Sequence, residues 1–251
     1  MYKQQFLAFI ISGLFCMIVI LSCSDSSTDP ADNNQENTVT DYDGNVYKTV
    51  TIGTQVWMAE NLKTTKYNDG LEINLITNAG EWSADTSGAY CNYNNSETNA
   101  AIYGLLYNWY AVNSGKLAPE GWHVPTDDDW TILEDYLITN GYNFDGTTTE
   151  NKIAKSLASD SGWNNSDTTG SVGNTDFPEY RNKTGFSLLP AGYRGYNGID
   201  FEMGNYTRLW TSSSSEIMFT AWIRELSFKS VSVERKIALY AYGFSVRCVK
   251  D

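Results

Sequence analysis

The chain of 251 residues is 41% hydrophobic and 14% aromatic, enough apolar material to bury a packed core in one or two domains. Its 17 Lys and Arg stand against 30 Asp and Glu, a formal charge of -13, and no basic run is present that could follow a phosphate backbone, so nucleic acid is excluded as an expected partner. Seventeen Tyr, 8 Trp and 20 Gly favour strands and turns over helices, the composition of an exported β-rich domain.

Lys3 gives a short positive start, and Phe6 to Leu21 form a nearly continuous apolar run, the pattern of a signal-peptide core. The run ends in "ILSCS", an arrangement that resembles the bacterial lipobox, in which cleavage leaves a lipid-modified cysteine as the new first residue. Residues 1–22 are therefore expected to be a lipoprotein signal peptide and Cys23 the lipidation site, with the lipid as the membrane contact and the outer membrane as the location. The alternative is a plain transmembrane anchor, for which 16 apolar residues fall short of the roughly 20 a span requires. Residues 23–40 are polar and acidic without apolar periodicity and read as a disordered tether; the folded domain is expected over 41–251.

Residues 42–62 carry turn dipeptides and alternating β-branched or aromatic positions, predicting short hairpin strands. A polar region from Lys63 to Asn99 follows, with one strand expected in "GAYCNY". Ile102, Leu105, Leu106 and Trp109 then fall at i, i+3, i+4 and i+7, predicting a first helix that reaches about Val112.

The stretch "GWHVPTDDDW", residues 121–130, holds the only histidine. Thr126 and Asp129 have the spacing of a capping box, Pro125 and Trp130 that of a hydrophobic staple, and Trp130, Leu133 and Leu137 share one face of the second predicted helix. Asp127, Asp128 and Asp129 suit the positive end of the helix dipole and diverge around the axis, so the triplet is not expected to hold a metal ion. Residues 140–180 are rich in Gly, Asn, Thr and Ser and read as a long ordered loop with a short helix at Lys152–Ala158. The remainder is a succession of short strands. In "YAYGFSVRCV", Tyr240, Tyr242, Phe244, Val246 and Cys248 alternate onto one strand face, so Cys248 points inward. The other cysteine of the folded part is Cys91. An exported compartment permits the two to pair, which would tie the last strand to the middle of the chain and stabilise by roughly 2–4 kcal/mol; the alternative is two buried free thiols. The pattern as a whole predicts a single α+β domain with two main helices packed on short antiparallel sheets.

"DGNVYKTVTIGTQVWMAENLKT", "YGLLYNWYAV", "GWHVPTDDDWTIL", "GFSLLPAGYR" and "YGFSVRCVKD", in this order, closely resemble the Fibrobacter succinogenes major paralogous domain, a family of exported proteins and lipoproteins. The helix followed by "GWHVPTDDDW" and the terminal "GFSVRCV" also resemble the arrangement in formylglycine-generating enzymes and their relatives. That wider resemblance implies a C-type-lectin-like fold in which the terminal strand returns beside the first and Cys91 and Cys248 staple the closure.

The residues argue against carrying over the enzymatic activity. Formylglycine-type oxidases use late active cysteines, whereas Cys248 is the single late cysteine here; a solitary His123 cannot build a multi-histidine metal site; and no "GxSxG" elbow accompanies it. His123 reads as structural. Calcium-dependent sugar binding lacks its usual "EPN" or "QPD" triplet, and "GWNNSD" reads as a core Trp163 followed by a turn. No cofactor or metal is expected. The richest candidate recognition surface lies in the late strands, where Trp210, Ser213, Phe219, Trp222, Arg224 and Tyr240 combine aromatic faces with hydrogen-bonding groups suited to a glycan or protein ligand. The expected function is a noncatalytic envelope lipoprotein displaying a lectin-like recognition or adhesion domain. A structural envelope domain without a small ligand and a degenerate enzyme are the competing readings.

Overall fold

A computed structural model describes residues 37–251. The signal peptide, Cys23 and most of the tether lie outside the described residues.

The alternating segment after Asp41 forms the expected hairpin strands, but the fold begins earlier than expected: Thr38–Thr40, read as the end of the tether, is a strand because its backbone pairs with Val46–Lys48. Strands Thr38–Thr40, Val46–Ile52 and Gln55–Met58 pair antiparallel in sequence, and the second turn is a two-residue loop in which Gly53 takes φ +62°. The Asp41 carboxylate ties the first turn by accepting from the backbone and side-chain nitrogens of Asn45 and from the Tyr47 hydroxyl. The last strand, Val249–Lys250, inserts beside Gln55–Met58 and pairs on its other side with Trp122–His123, so the terminal segment closes onto the first strands of the described domain in one five-stranded sheet.

The long helix Asp127–Thr139 follows directly. Thr126 caps it, and the Asp129 carboxylate returns a bond to the Thr126 backbone, completing the box. Its buried stripe, Trp130, Leu133 and Leu137, joins Trp57, Phe186, Leu209, Leu226 and Val249 in one core cluster, with Trp57 and Trp130 ring centroids 5.1 Å apart. This helix therefore sits against a three-stranded antiparallel meander, Tyr206–Ser214, Thr220–Ser227 and Glu234–Leu239. The opposite face of the meander sends Trp210, Ala221 and Ile223 into the principal core with Tyr107, Phe244 and Val246. A further small sheet, Asn74–Leu75, Ala89–Cys91 and Leu106–Tyr107, and the ribbon of Tyr193–Arg194 with Asp200–Phe201 complete a mixed, sheet-rich architecture with few helices.

Three expectations are corrected. The first helix is not continuous: Glu97–Tyr103, capped by Ser96, stops at Gly104, and after the strand Leu106–Tyr107 a separate turn of helix, Trp109–Val112, starts from Asn108. Gly104 holds φ +81°, and a Cβ there would come within 2.7 Å of the Asn61 Cβ, so the apolar spacing that mimics a helix is broken by a backbone position open only to glycine. The terminal segment is not one long alternating strand: Gly243, Phe244 and Ser245 make single bridges to Arg194, Tyr107 and Leu209, and residues 243–249 are buried on both faces. Cys91 and Cys248 do not form a disulfide. Both are buried free thiols in different clusters, Cys91 with Trp82, Tyr93 and Leu106, and Cys248 in the principal core beside the N-terminal hairpin, where its carbonyl accepts from Met58. The ladder partner of Cys91 is Leu106, whereas Cys248 lies just ahead of Val249–Lys250, a strand of a different sheet.

Candidate recognition surface

Side chains alternate across the meander, and the two faces have different covers. Trp222, Arg224 and Leu226 occupy the face toward the long helix. Arg224 is 1% exposed; its Nε donates to Glu134 Oε1 at 2.5 Å and its Nη1 to Asp127 Oδ1 at 2.7 Å. Arg224 is thus an internal link between sheet and helix, not a ligand contact. Trp210 is fully buried on the other face, donating its indole N–H to the Tyr107 carbonyl at 2.8 Å and packing on Phe244, and is likewise core. Ser213 accepts from the Asp127 backbone at 3.0 Å and so serves the helix N-terminus. Trp222 is half-buried, and the Arg235 guanidinium lies 3.3 Å from its ring centroid while also gripping both Asp127 oxygens, which occupies that ring face.

Two of the six sequence-derived residues remain available and lie together. Phe219, at the tip between the first two meander strands, is 60% exposed with φ +59°, and its ring meets Tyr240 edge-on at 6.3 Å. Tyr240 stacks on Trp109 at 4.1 Å and 16° and meets Tyr110 edge-on, so a rigid aromatic base supports it. Met218, beside Phe219, is also exposed.

A second aromatic row is built from residues the sequence reading did not assign to the surface. Tyr242 stacks on Phe244 at 5.3 Å and meets Tyr196 edge-on at 5.5 Å; Tyr193 stacks on Phe201 at 5.5 Å. Burial raises the Tyr242 hydroxyl above the ordinary phenol range, so it is neutral and able to donate. Tyr193 and Tyr196 come from "GYRGYNG", a turn-rich stretch in which Gly198 holds φ +76° against the Ala79 backbone. An aromatic in a glycine-rich turn is the signal that could have found Tyr196, which lies outside the strand Tyr193–Arg194 and has no strand face to fill.

Beside this row lies a cavity of about 200 Å³, lined by Arg208, Glu225, Lys236, Ile237 and Tyr242 among others. It opens on the meander face that the helix does not cover. Glu225 is buried and binds both Arg208, at 2.5 Å, and Lys236, at 2.6 Å, while the Arg208 guanidinium stands 3.9 Å from the Tyr193 ring centroid. Aromatic faces next to fixed donors and acceptors are the arrangement that grips a polar, flat-faced ligand such as a sugar ring.

His123 lines a different cavity, of about 270 Å³, with Val112, Leu117, Val124, Thr126 and Ser212. Its Nδ1 lies 2.7 Å from Asp251 Oδ1 and its Nε2 3.2 Å from Asp129 Oδ2. With both ring nitrogens facing carboxylates, neither is directed at the Ser212 hydroxyl as a base would be. Trp163 is part of the core margin and donates to the Leu188 carbonyl. Among the described residues no helix is long and apolar enough to cross a membrane.

Residues 50–250 match the family model described as Fibrobacter succinogenes major domain. No curated protein and no solved structure matches the chain.

Proposed function

The chain belongs to the Fibrobacter succinogenes major domain family, and we propose that it is a noncatalytic envelope lipoprotein whose domain recognises a carbohydrate or protein ligand through two aromatic groups, Phe219 with Tyr240 and Tyr242 with Tyr196. The observation that carries this reading is the charged Arg208–Glu225–Lys236 cavity with Tyr242 in its wall and Tyr196 edge-on to that ring, together with the Phe219–Tyr240 pair at one end of the same meander. Exposed aromatic surface held rigid from beneath loses little entropy on binding, which is why such rows recur at recognition sites. The noncatalytic part of the proposal is supported by the two carboxylates on His123. A C-type-lectin-like fold is the finer architectural proposal; the terminal strand paired beside the N-terminal hairpin is its support.

Attachment through Cys23 and placement at the outer membrane rest on the apolar run and "ILSCS". Radiolabelled palmitate incorporation in the expressing cell, abolished by Cys23→Ser, tests the anchor. A glycan array probed with residues 24–251, with calcium and with chelator, tests recognition. Binding that persists in chelator and is lost in Phe219→Ala or Tyr242→Ala supports the proposal. A folded protein that binds no glycan and no envelope protein would leave a structural envelope domain as the better reading.

A further inference from the structure

Four cationic side chains in the described domain are almost wholly buried, and three of them have carboxylate partners. Lys155 pairs with Asp176, Arg194 with Asp200, and Arg224 with Asp127 and Glu134. The fourth, Arg247, is 1% exposed and has no carboxylate within 4.0 Å among the described residues. Its bonds go to neutral acceptors: Nε to Asn61 Oδ1 at 2.9 Å, Nη1 to the Phe186 carbonyl and Nη2 to the Ser187 carbonyl at 2.9 Å. These bonds engage three of the five N–H groups a guanidinium carries. The nearest stacking partner is Phe186, with its ring centroid 4.7 Å away. Glu60 acts on it only through space, without a bond, and a buried charge with no bonded counterion is costly, so an anion beside it would repay that cost.

Arg247 lines a cavity of about 250 Å³ together with Asn61, Lys63, Ser159, Ser187 and Leu189. Lys63 adds a second positive charge, and Glu60, also in the wall, stands 3.5 Å from the Lys63 ammonium, so the wall keeps one net positive charge in a chain of formal charge -13. Ser187, whose carbonyl fixes Arg247, holds φ +55°, a conformation unfavourable for a residue with a Cβ. The cavity wall also offers the apolar side chains of Leu189 and Ile102, the latter 54% exposed. None of these residues belongs to the aromatic row.

We infer that this cavity binds a carboxylate-bearing small molecule of monosaccharide size, a hexuronate, with the carboxylate on Arg247 and Lys63 and the ring hydroxyls toward Ser159 and Ser187. The volume suits one ring, the two cations suit one carboxylate, and the serine hydroxyls suit ring hydroxyls. A free uronic acid and the end of an acidic polysaccharide share this chemistry.

Titration calorimetry on the full chain in detergent, with glucuronate, galacturonate, glucose and inorganic phosphate as separate probes, tests the site. The expected result is saturable millimolar or tighter binding of a uronate and none of glucose, with affinity lowered about tenfold in Lys63→Met and unchanged in Phe219→Ala. Tighter binding of an oligogalacturonide than of galacturonate assigns a polysaccharide end, and equal binding assigns the free acid. No uronate binding, equal binding of glucose, preference for phosphate, or a Lys63→Met variant with unaltered affinity would each overturn the inference. Arg247→Lys supplies a second variant if truncation of Arg247 prevents folding; it keeps the charge but loses the fork, and weaker uronate binding is expected.

Discussion

Replacing Arg224 by Met separates a structural from a recognition role. Its guanidinium is enclosed between the central meander strand and the long helix, with Glu134 Oε1 at 2.5 Å and Asp127 Oδ1 at 2.7 Å. Methionine keeps most of the side-chain volume, so the loss is electrostatic. Asp127 retains Arg235, which grips both of its oxygens. Glu134 retains no cation within 4.0 Å among the described residues, and burial already holds its carboxyl above the ordinary range despite Arg224. Breaking one side of such a buried pair costs about 3–5 kcal/mol, a large share of the 5–15 kcal/mol that typically holds a domain. For a domain of this size that is a fall in Tm of roughly 6–20 °C. Urea unfolding followed by tryptophan fluorescence measures it. The double variant R224M/E134Q removes the stranded charge and is expected to recover more than half of the loss, and a coupling energy from the full cycle isolates the pair. An Arg224→Met domain within about 1 kcal/mol of the parent, or a double variant no better than the single, would refute the assignment of Arg224 to the interior ion network.

Three further outcomes are expected. Residues 24–251 contain two cysteines, Cys91 and Cys248; neither should react with a thiol reagent in the native state, both should react after denaturation, and reduction should leave the mass unchanged. Burial pushes the Cys91 thiol up to about 12 and Cys248 also well above its usual range, so no thiolate is present at neutral pH to react; a mass increase on reduction would restore the disulfide. Gly104→Ala should destabilise by about 1–3 kcal/mol in urea, because alanine is strained at φ +81° and its Cβ would meet Asn61; an unchanged midpoint would refute the glycine requirement. Stability should fall as pH drops from about 4 toward 2. For Asp127 and Asp129 burial alone would raise the carboxyl, but for Asp127 the bonds from Arg235 and Arg224, and for Asp129 those from Thr126 and His123, outweigh it; bonds from Lys152 and Thr147 lower exposed Asp145 to about 2. Each lowered group contributes stability above its unfolded pKa and loses it as pH falls through the folded one. Glu134 and Asp200, raised by burial, act in the opposite sense over the carboxylate range and are outnumbered. A flat or rising thermal midpoint over that interval would contradict the balance.

What could be read from sequence here was local. The Thr126–Asp129 box, the stripe Trp130, Leu133 and Leu137 and the hairpin turn before Gln55–Met58 all depend on residues a few positions away, and each stands where the spacing predicts. The family, too, was legible in separated blocks of residues. The candidate site was legible only in part. Phe219 and Tyr240 were singled out with four others by the aromatic and hydrogen-bonding composition of the late strands, and it is the structure that leaves these two together at a strand tip and in a turn.

Tertiary structure alone decided the rest. Period-2 spacing groups Trp222, Arg224 and Leu226 on one face but carries no information about what covers that face. The cover is the helix bearing Asp127 and Glu134, 97 and 90 residues away from Arg224 in sequence, and its presence moves the open groove to the side of Glu225 and Arg208. Cys91 and Cys248 are separated for the same reason: which sheet a strand joins is settled by packing between distant segments, and that competition leaves no trace in the residues beside either thiol.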